Sequence, residues 1–261
     1  LIEDYEHVLS RFRNDSLIAA IGKAEHGGSF DFPDWCAPLF DLYDALFSAT
    51  SGAIDPCVGE DLIRLGYDAS LSFTVTQDAP EHLGALRGRA VWGRDVTRHG
   101  TTLVTHEPVQ LDFGACGKGY LVDLLGRMLQ SSQFVIDAGG DLLIHAEQPI
   151  SVALEDPEDQ SHAIGIAHIA NGALCASAPS RRHWNVAVNE RTQIAIHHLL
   201  NAIDGLPAQQ TEASWAYVPA NATLNLVRDY PTAVADGLAT ALFVSDVAQL
   251  QRTFDFTYAT L

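Results

Sequence analysis

The spacing of apolar residues predicts four helices along the chain. In four segments, apolar side chains recur every three or four residues, which is typical of a helix with one buried face. These segments cover residues 2–12, 39–47, 118–129 and 235–243. A glycine-rich stretch precedes the third segment, so we expect its helix to begin near Lys118.

Short strands are predicted between and after these helices, because apolar runs bounded by turn residues are typical of strands. We expect strands at residues 72–76, 101–104 and 109–111, several within 134–169, and a hairpin of 185–188 with 193–196. This order of elements favours an α+β fold with a mixed, largely antiparallel sheet core and packed helices over a regular βαβ array. No linker or repeat interrupts the chain, so residues 1–261 are predicted to form a single domain.

The charge balance of the chain disfavours two classes of anionic partner. The 261 residues include 33 Asp and Glu against 15 Lys and Arg, which gives a net charge of −18. Nucleic acid and anionic membrane surfaces are bound by clustered basic residues, so both are disfavoured. No apolar run reaches the roughly 18–20 residues of a membrane-spanning helix. Lys23 and Lys118 are the only lysines, so a function that handles phosphate needs a local source of positive charge.

The four cysteines do not form a recognisable metal or disulfide pattern. Cys36, Cys57, Cys116 and Cys175 are far apart in sequence and include no C-x-x-C pair. A chain of this length does not need a disulfide framework to stabilise its core. We therefore predict that all four are small, buried or half-buried thiols.

The glycine-rich stretch D-F-G-A-C-G-K-G at residues 112–119 could hold a phosphate group. Glycines let the backbone approach a ligand, and the N–H groups at a helix start attract anions. Lys118 would add a positive charge at this point. The stretch is neither a Walker A loop nor a G-x-G-x-x-G fingerprint. By itself it is equally typical of a tight turn before a helix.

Asp236 and Thr240 stand four residues apart on the fourth predicted helix and so project from one face. A carboxylate and a hydroxyl supply the hard oxygen ligands that Mg²⁺ prefers. The alternative is that Asp236 is an N-cap or a first-turn acid, stabilised there by the helix dipole. The pattern alone leaves both interpretations open.

Three further motifs are ambiguous when each is taken alone. Asp137 and Asp141 bracket two glycines at the end of an apolar strand, where they could orient a ligand or brace a neighbouring loop. His198 follows an alternating strand and could act as a general base. With eleven histidines in the chain, any one of them is more often a surface residue. The turn S-G-A-I-D-P at residues 51–56 has no single interpretation.

Taken together and in this order, these stretches resemble the ApbE family of FAD:protein FMN transferases. The matching segments are LSRFRNDSLIAAI (9–21), SGAIDPCVG (51–59), LDFGACGKGYLVD (111–123), FVIDAGGDLL (134–143) and VADGLATALFV (234–244). The third is similar to the family pattern L-D-x-G-x-x-x-K-G-Y-x-V-D, and the fifth is similar to A-D-x-L-A-T-A. Each segment alone is modest, but five in register make a chance resemblance improbable.

The resemblance implies an enzyme that binds FAD and Mg²⁺, transfers FMN to a Thr hydroxyl of an acceptor protein, and releases AMP. It assigns the Mg²⁺ ligands to Asp236, Thr240 and the backbone carbonyl of Ala115, and the catalytic base to His198. The flavin contacts that it implies are Phe12, Ala53, Ile54, Asp55, Asp112, Lys118 and Leu199. It also implies that a family strand and any targeting segment would precede Leu1, and that the protein lies outside the cytoplasm at a membrane.

Two segments depart from the family pattern. The chain reads H-L-L-N-A-I-D-G-L-P from His198, where the family often has H-I-I-D-P-x-T-G-x-P. It reads CASAPSRR at residues 175–182, where the family tends to have A-T-S-G-x-Y-x-R. Both departures fall on the flavin and acceptor side that the resemblance implies. Two alternatives therefore stay open: an FAD pyrophosphatase that uses water, and a non-catalytic flavin-binding protein.

Overall fold

A computed structural model describes residues 1–189, 192–222 and 228–261. These residues form two compact units: unit 1 comprises Leu1–Phe113 with Arg182–Ala208, and unit 2 comprises Gly114–Arg181 with Gln209–Leu261. The chain enters each unit twice, so neither unit is a continuous stretch that a linker could delimit. The assignment of residues 1–261 to a single domain stays a prediction.

Short and medium helices alternate with strands along the chain. The helices are α1 (Ile2–Leu9), α2 (Leu17–Gly22), α3 (Ala37–Ala49), α4 (Gly59–Arg64), α5 (Ala79–His82), α6 (Gly117–Gly126), α7 (Pro231–Ala241) and α8 (Val247–Leu250). The strands are β1 (Gly28–Asp31), β2 (Val96–His99), β3 (Thr102–Thr105), β4 (Phe134–Asp137), β5 (Asp141–Glu155), β6 (Ala163–Ser177), β7 (His183–Asn189), β8 (Thr192–His197), β9 (Leu200–Asn201), β10 (Leu206–Pro207), β11 (Ser214–Pro219) and β12 (Thr257–Thr260).

Unit 1 is built around α3, which is buried on several sides. Its residues Leu39, Phe40, Tyr43 and Leu46 are almost fully removed from solvent, which confirms the helix predicted over 39–47. Three short sheets accompany the helices: β1-β3-β2, the hairpin β7-β8 and the pair β9-β10. The predicted hairpin and the predicted strand at 101–104 are confirmed as β7-β8 and β3.

The strands predicted at residues 72–76 and 109–111 are wrong, because neither segment forms a strand. In the first segment, Asp68 Oδ1 accepts hydrogen bonds from the N–H groups of Ser70 and Ser72, which turns the chain on itself. Phe73 has a left-handed backbone, with φ +49°. An apolar pattern cannot reveal such a turn, because side-chain alternation says nothing about φ.

Unit 2 consists of one antiparallel sheet with helices packed on it. The strand order is β12-β11-β6-β5-β4, and both α6 and α7 contact the sheet as well as each other. Strands β5 and β6 are longer than the predicted pieces, and a register shift between His145 and Ile150 interrupts their ladder. Mixed helices and antiparallel sheets confirm the predicted α+β class.

Two further features of the described residues bear on the sequence analysis. All four cysteines are free and buried, as predicted. Among the described residues, no helix is both long and apolar enough to cross a membrane.

Candidate active site

Helices α6 and α7 of unit 2 approach each other closely at Gly119. A Cβ atom on Gly119 would lie 2.4 Å from the carbonyl oxygen of Thr232 and 2.9 Å from Cβ of Asp236, so only glycine permits this approach. The Gly119 N–H donates a hydrogen bond to Asp236 Oδ2 over 2.9 Å. This glycine of the G-K-G stretch therefore allows close helix packing and orients the Asp236 carboxylate.

Asp236 and Thr240 lie on one face of α7, as the sequence predicts. Helix α7 begins at Pro231, so Asp236 lies beyond its first turn, and the alternative role as an N-cap or a first-turn acid is wrong. Only 5% of Asp236 is exposed. The Thr240 hydroxyl oxygen lies 3.5 Å from the carbonyl oxygen of Ala115. The structure thus brings Thr240 and Ala115 together and places Asp236 one helical turn away.

Asp123 of α6 caps the start of α7. Its two carboxylate oxygens accept hydrogen bonds from the N–H groups of Thr232, over 3.1 Å, and Ala233, over 2.8 Å. Burial raises the pKa of Asp123 to about 7, although these hydrogen bonds act in the opposite direction. Sequence reasoning matched Asp123 to a family pattern without finding this role. Asp123 lies on the side of the predicted helix opposite its leucines, so no sequence pattern marked it as buried.

Asp141 braces the side chain of Lys118. The Lys118 Nζ atom lies 3.1 Å from Asp141 Oδ2 and donates a hydrogen bond to the carbonyl oxygen of Gly139 over 3.3 Å. Asp141 is fully buried, and the contact with Lys118 is an ion pair without hydrogen-bond geometry. Asp137 accepts a hydrogen bond from the Gly139 N–H within its own turn. Of the two interpretations left open for this motif, these contacts favour the brace.

Two buried carboxyl groups surround Lys118. Burial raises the pKa values of Asp141 and Asp236, Asp141 raises that of Asp236 further, and the Lys118 ammonium lowers both. Burial also tends to lower the pKa of Lys118, but Asp141 and Asp236 outweigh it and raise the value above normal. Two buried carboxylates thus face one lysine cation. By geometry, neither Asp141 oxygen has a hydrogen-bond partner among the described residues.

The oxygen donors in this region fit Mg²⁺. The described residues contain no group of three or more His, Cys, Asp or Glu side chains that could hold a metal. The predicted ligands are the Asp236 carboxylate, the Thr240 hydroxyl and the Ala115 carbonyl. They include only one such side chain, so they are not a cluster of that kind. Oxygen ligands of these kinds suit hard cations rather than zinc or copper.

In unit 1, the predicted flavin contact Asp55 is buried, and both of its carboxylate oxygens have partners within the protein. Asp55 Oδ1 accepts a hydrogen bond from the Cys57 N–H over 2.8 Å. Its other oxygen lies 3.5 Å from Nη1 of the fully buried Arg89. The Nε atom of Arg89 lies 2.8 Å from Asp61 Oδ2. The pKa of Asp61 is raised to about 6 by burial, although Arg89 lowers it.

Arg89 also connects the predicted flavin turn to the chain that follows His198. Its Nη2 atom donates a hydrogen bond to the carbonyl oxygen of Ala202 over 2.7 Å. The N–H of Ala202 in turn donates to the carbonyl oxygen of Ala53 over 3.1 Å. Sequence reasoning missed Arg89, because its partners are scattered along the chain. These contacts fix the backbone around Ala202, where the sequence departs from the family pattern.

His198 is neutral at physiological pH. Its Nδ1 atom lies 3.2 Å from the carbonyl oxygen of Arg182, so Nδ1 carries the proton and Nε2 is left as a hydrogen-bond acceptor. Burial lowers its pKa to about 4. An unprotonated Nε2 is the form that a general base requires. The next residue, Leu199, is buried.

Phe12 and Asp112, both predicted flavin contacts, lie close to Arg11. Phe12 is 41% exposed, and its ring makes an edge-on contact with the ring of Tyr67. The Arg11 side chain pairs with the Asp112 carboxylate. The guanidinium carbon of Arg11 lies 4.2 Å from the centre of the Phe12 ring. These two predicted contacts are therefore joined through Arg11, which sequence reasoning did not single out.

Solved structures share this fold over nearly the whole chain. The ApbE protein of Thermotoga maritima is similar with a TM-score of 0.73 and 18% identity, covering 99% of this chain and 84% of that one. The flavin transferase ApbE of Vibrio cholerae gives a TM-score of 0.72 and 17% identity over 99% and 84% of the two chains.

The chain belongs to the ApbE family, whose sequence profile matches residues 1–258. A relative in Treponema pallidum, named FAD:protein FMN transferase, is 26% identical and covers 94% of this chain and 69% of its own length. The family and the fold class predicted from the sequence are both confirmed.

Proposed function

We propose that this chain is an enzyme that transfers FMN from FAD to a Thr hydroxyl of an acceptor protein, with Mg²⁺, and releases AMP. The family membership and the name of the Treponema pallidum relative support a flavin transferase. The observation that carries the proposal further is the α6–α7 contact. There, Thr240 meets the Ala115 carbonyl and Asp236 is held buried by Gly119.

The proposed Mg²⁺ ligands are the Asp236 carboxylate, the Thr240 hydroxyl and the Ala115 carbonyl. When bound, Mg²⁺ would neutralise charge on the pyrophosphate of FAD and favour in-line displacement. Lys118 would supply a second positive charge, and its position is fixed by Asp141. Because the chain is acidic, it needs a local source of positive charge to bind a phosphate-bearing substrate. Mg²⁺ and Lys118 would provide that charge.

Some of the proposed flavin contacts would use a side chain, and others would use the backbone. Phe12 is partly exposed and can offer its ring. Asp55 and Leu199 are buried, so we expect their contribution to come from the backbone. Ala53 and Ile54, in the turn before Asp55, are buried as well. We expect this turn to shape the flavin site rather than to supply charged side chains.

In the proposed reaction, His198 Nε2 accepts the proton of the acceptor Thr hydroxyl. The Thr oxygen forms a bond to the phosphorus nearest riboflavin, and the bond from that phosphorus to the bridging oxygen breaks. AMP leaves with that oxygen, and FMN stays attached to Thr as a phosphate ester. The contact of Nδ1 with the Arg182 carbonyl, which leaves Nε2 as an acceptor, supports this role.

The proposal is tested by following both products of FAD. The purified chain is incubated with FAD, MgCl₂ and a candidate acceptor protein, and AMP and protein-bound flavin are measured by chromatography. We expect equal amounts of AMP and protein-bound FMN, and no turnover after chelation with EDTA. Free FMN together with AMP would instead support an FAD pyrophosphatase. Intact FAD under all conditions would support a flavin-binding protein.

A further inference from the structure

Arg11 has a buried hydrogen-bond donor that no described residue satisfies. Its side chain is 7% exposed, and its Nε atom pairs with the Asp112 carboxylate. Its Nη1 atom donates a hydrogen bond to the carbonyl oxygen of Tyr67 over 2.6 Å. The remaining nitrogen, Nη2, is buried and has no hydrogen-bond partner among the described residues. Buried donors are almost always paired, so an orphaned one points to an acceptor on a ligand.

The Arg11 guanidinium is held in place by aromatic rings. Its central carbon lies 4.2 Å from the ring centre of Phe12 and 4.6 Å from that of Tyr67. The Tyr67 ring also packs on Trp184, with 5.9 Å between the ring centres. Because two of its nitrogens are bound and its plane contacts two rings, Arg11 presents Nη2 in a fixed direction.

The aromatic rings around Arg11 favour a planar ring ligand. The Arg11 guanidinium is paired with Asp112, and the Arg182 guanidinium bonds to the hydroxyl of Tyr67 on the same cluster. An aromatic surrounding suits a planar ring. The Phe12 ring covers the guanidinium and is partly exposed, so a ring ligand that displaces the Phe12 side chain could reach Nη2. A carbonyl oxygen on a planar heterocycle supplies both a planar ring and an acceptor for Nη2.

We propose that Arg11 is a further flavin-contact residue, whose Nη2 donates a hydrogen bond to a carbonyl oxygen on the pyrimidine ring of the isoalloxazine. This assignment rests on the proposed function, because it takes FAD as the ligand. It gives Arg11 a role in recognising the flavin ring rather than the phosphates. Arg11 is thereby a determinant of specificity for flavin over other adenine dinucleotides.

Binding measurements on the full chain separate the ring from the phosphates. Riboflavin, FAD and ADP are titrated into the wild type and Arg11→Met by calorimetry. Riboflavin carries only the ring end of FAD, and ADP carries only the nucleotide end. We expect Arg11→Met to lower the affinities for riboflavin and for FAD by the same factor. The factor is about tenfold, the value of one hydrogen bond to a charged donor. We expect ADP binding to stay unchanged.

Two variants serve as controls. Arg13→Met makes the same substitution two positions away, where the guanidinium pairs with the exposed Asp15, and should bind all three ligands as the wild type does. Arg11→Lys keeps the charge but loses Nη2, and should not restore riboflavin affinity. Loss of FAD and ADP affinity with riboflavin unchanged would overturn the assignment, and so would full rescue by Arg11→Lys.

A second measurement uses only the wild-type protein, so it does not depend on whether a variant folds. In 2-thioriboflavin and 4-thioriboflavin, one ring carbonyl oxygen is replaced by sulfur, which is a weaker acceptor. The wild type should bind one of the two more weakly than riboflavin, and equal affinity for all three would overturn the assignment. Unchanged flavin binding by Arg11→Met would refute the role of Arg11 and leave the proposed function standing. A wild type that binds neither riboflavin nor FAD contradicts the proposed function as well.

Discussion

The backbone N–H of Gly119 donates a hydrogen bond to the carboxylate of Asp236, across 2.9 Å between nitrogen and Oδ2. This bond ties the first turn of α6 to the middle of α7. Ala115 lies just before α6, and its carbonyl meets the Thr240 hydroxyl of α7. One helix–helix contact therefore arranges all three proposed Mg²⁺ ligands.

Asp236→Asn should abolish Mg²⁺-dependent turnover of FAD. The amide keeps an oxygen that can accept from Gly119 but loses the negative charge that attracts the metal. We expect activity to fall by about 100-fold or more at saturating FAD, with a higher Mg²⁺ requirement for what remains. Steady-state assays against MgCl₂ concentration measure this. Asp246→Asn, which alters an exposed N-cap on α8, is the matched control. Unchanged Mg²⁺ dependence in Asp236→Asn would refute the ligand assignment.

Gly119→Ala should separate α6 from α7. The added Cβ would meet the Thr232 carbonyl at 2.4 Å, so one helix must move. We expect a loss of about 1–3 kcal/mol in the free energy of unfolding, measured by urea denaturation, together with weaker Mg²⁺ binding. In Gly165→Ala, the new Cβ would lie 3.4 Å from Leu154, an ordinary contact. This control should cost much less, and equal losses in the two variants would contradict the packing argument.

The contribution of Asp123 to stability should fall as the pH rises from about 4 to about 7. Its pKa is raised from 3.8 to about 7 in the folded state. The folded state therefore holds this proton more tightly than the unfolded state, and ionisation of the buried carboxyl costs stability across that window. Asp123→Asn removes the titration but keeps a hydrogen-bond acceptor for the start of α7. Urea midpoints of the wild type should decline relative to Asp123→Asn between pH 4 and pH 7, whereas parallel curves would contradict the burial effect.

His198→Gln should lower the rate of FMN transfer by about 10²–10⁴-fold, the usual contribution of a general base. The affinity for FAD should change little, since the proposed role of the imidazole is to accept a proton from the acceptor. Because its pKa is lowered to about 4, the wild-type rate should not titrate between pH 5 and pH 8. His197→Gln is the neighbouring control, since its ring donates to the Ala208 carbonyl. A His198→Gln variant as active as this control would exclude His198 as the base.

Some features confined to one helix were predictable from the sequence, but Met128 and Leu129, which the apolar spacing places on a buried helix face, are exposed beyond the end of α6. Asp236 and Thr240 share a face of α7 because residues four apart always do, and α3 followed from its apolar spacing. Roles that depend on distant partners were not predictable. Asp123 bonds to a residue 109 positions away, and Arg11 bonds to one 101 positions away. No local pattern encodes such pairs.

Mass spectrometry of an acceptor protein co-expressed with this chain tests the central claim most directly. The same acceptor with its target Thr replaced by Ala, and a co-expression with Asp236→Asn, are the controls. We predict that the acceptor gains the mass of one FMN less one water on that Thr, only with the wild-type chain and only when the Thr is present. An unmodified acceptor in the presence of FAD and Mg²⁺ would contradict the account.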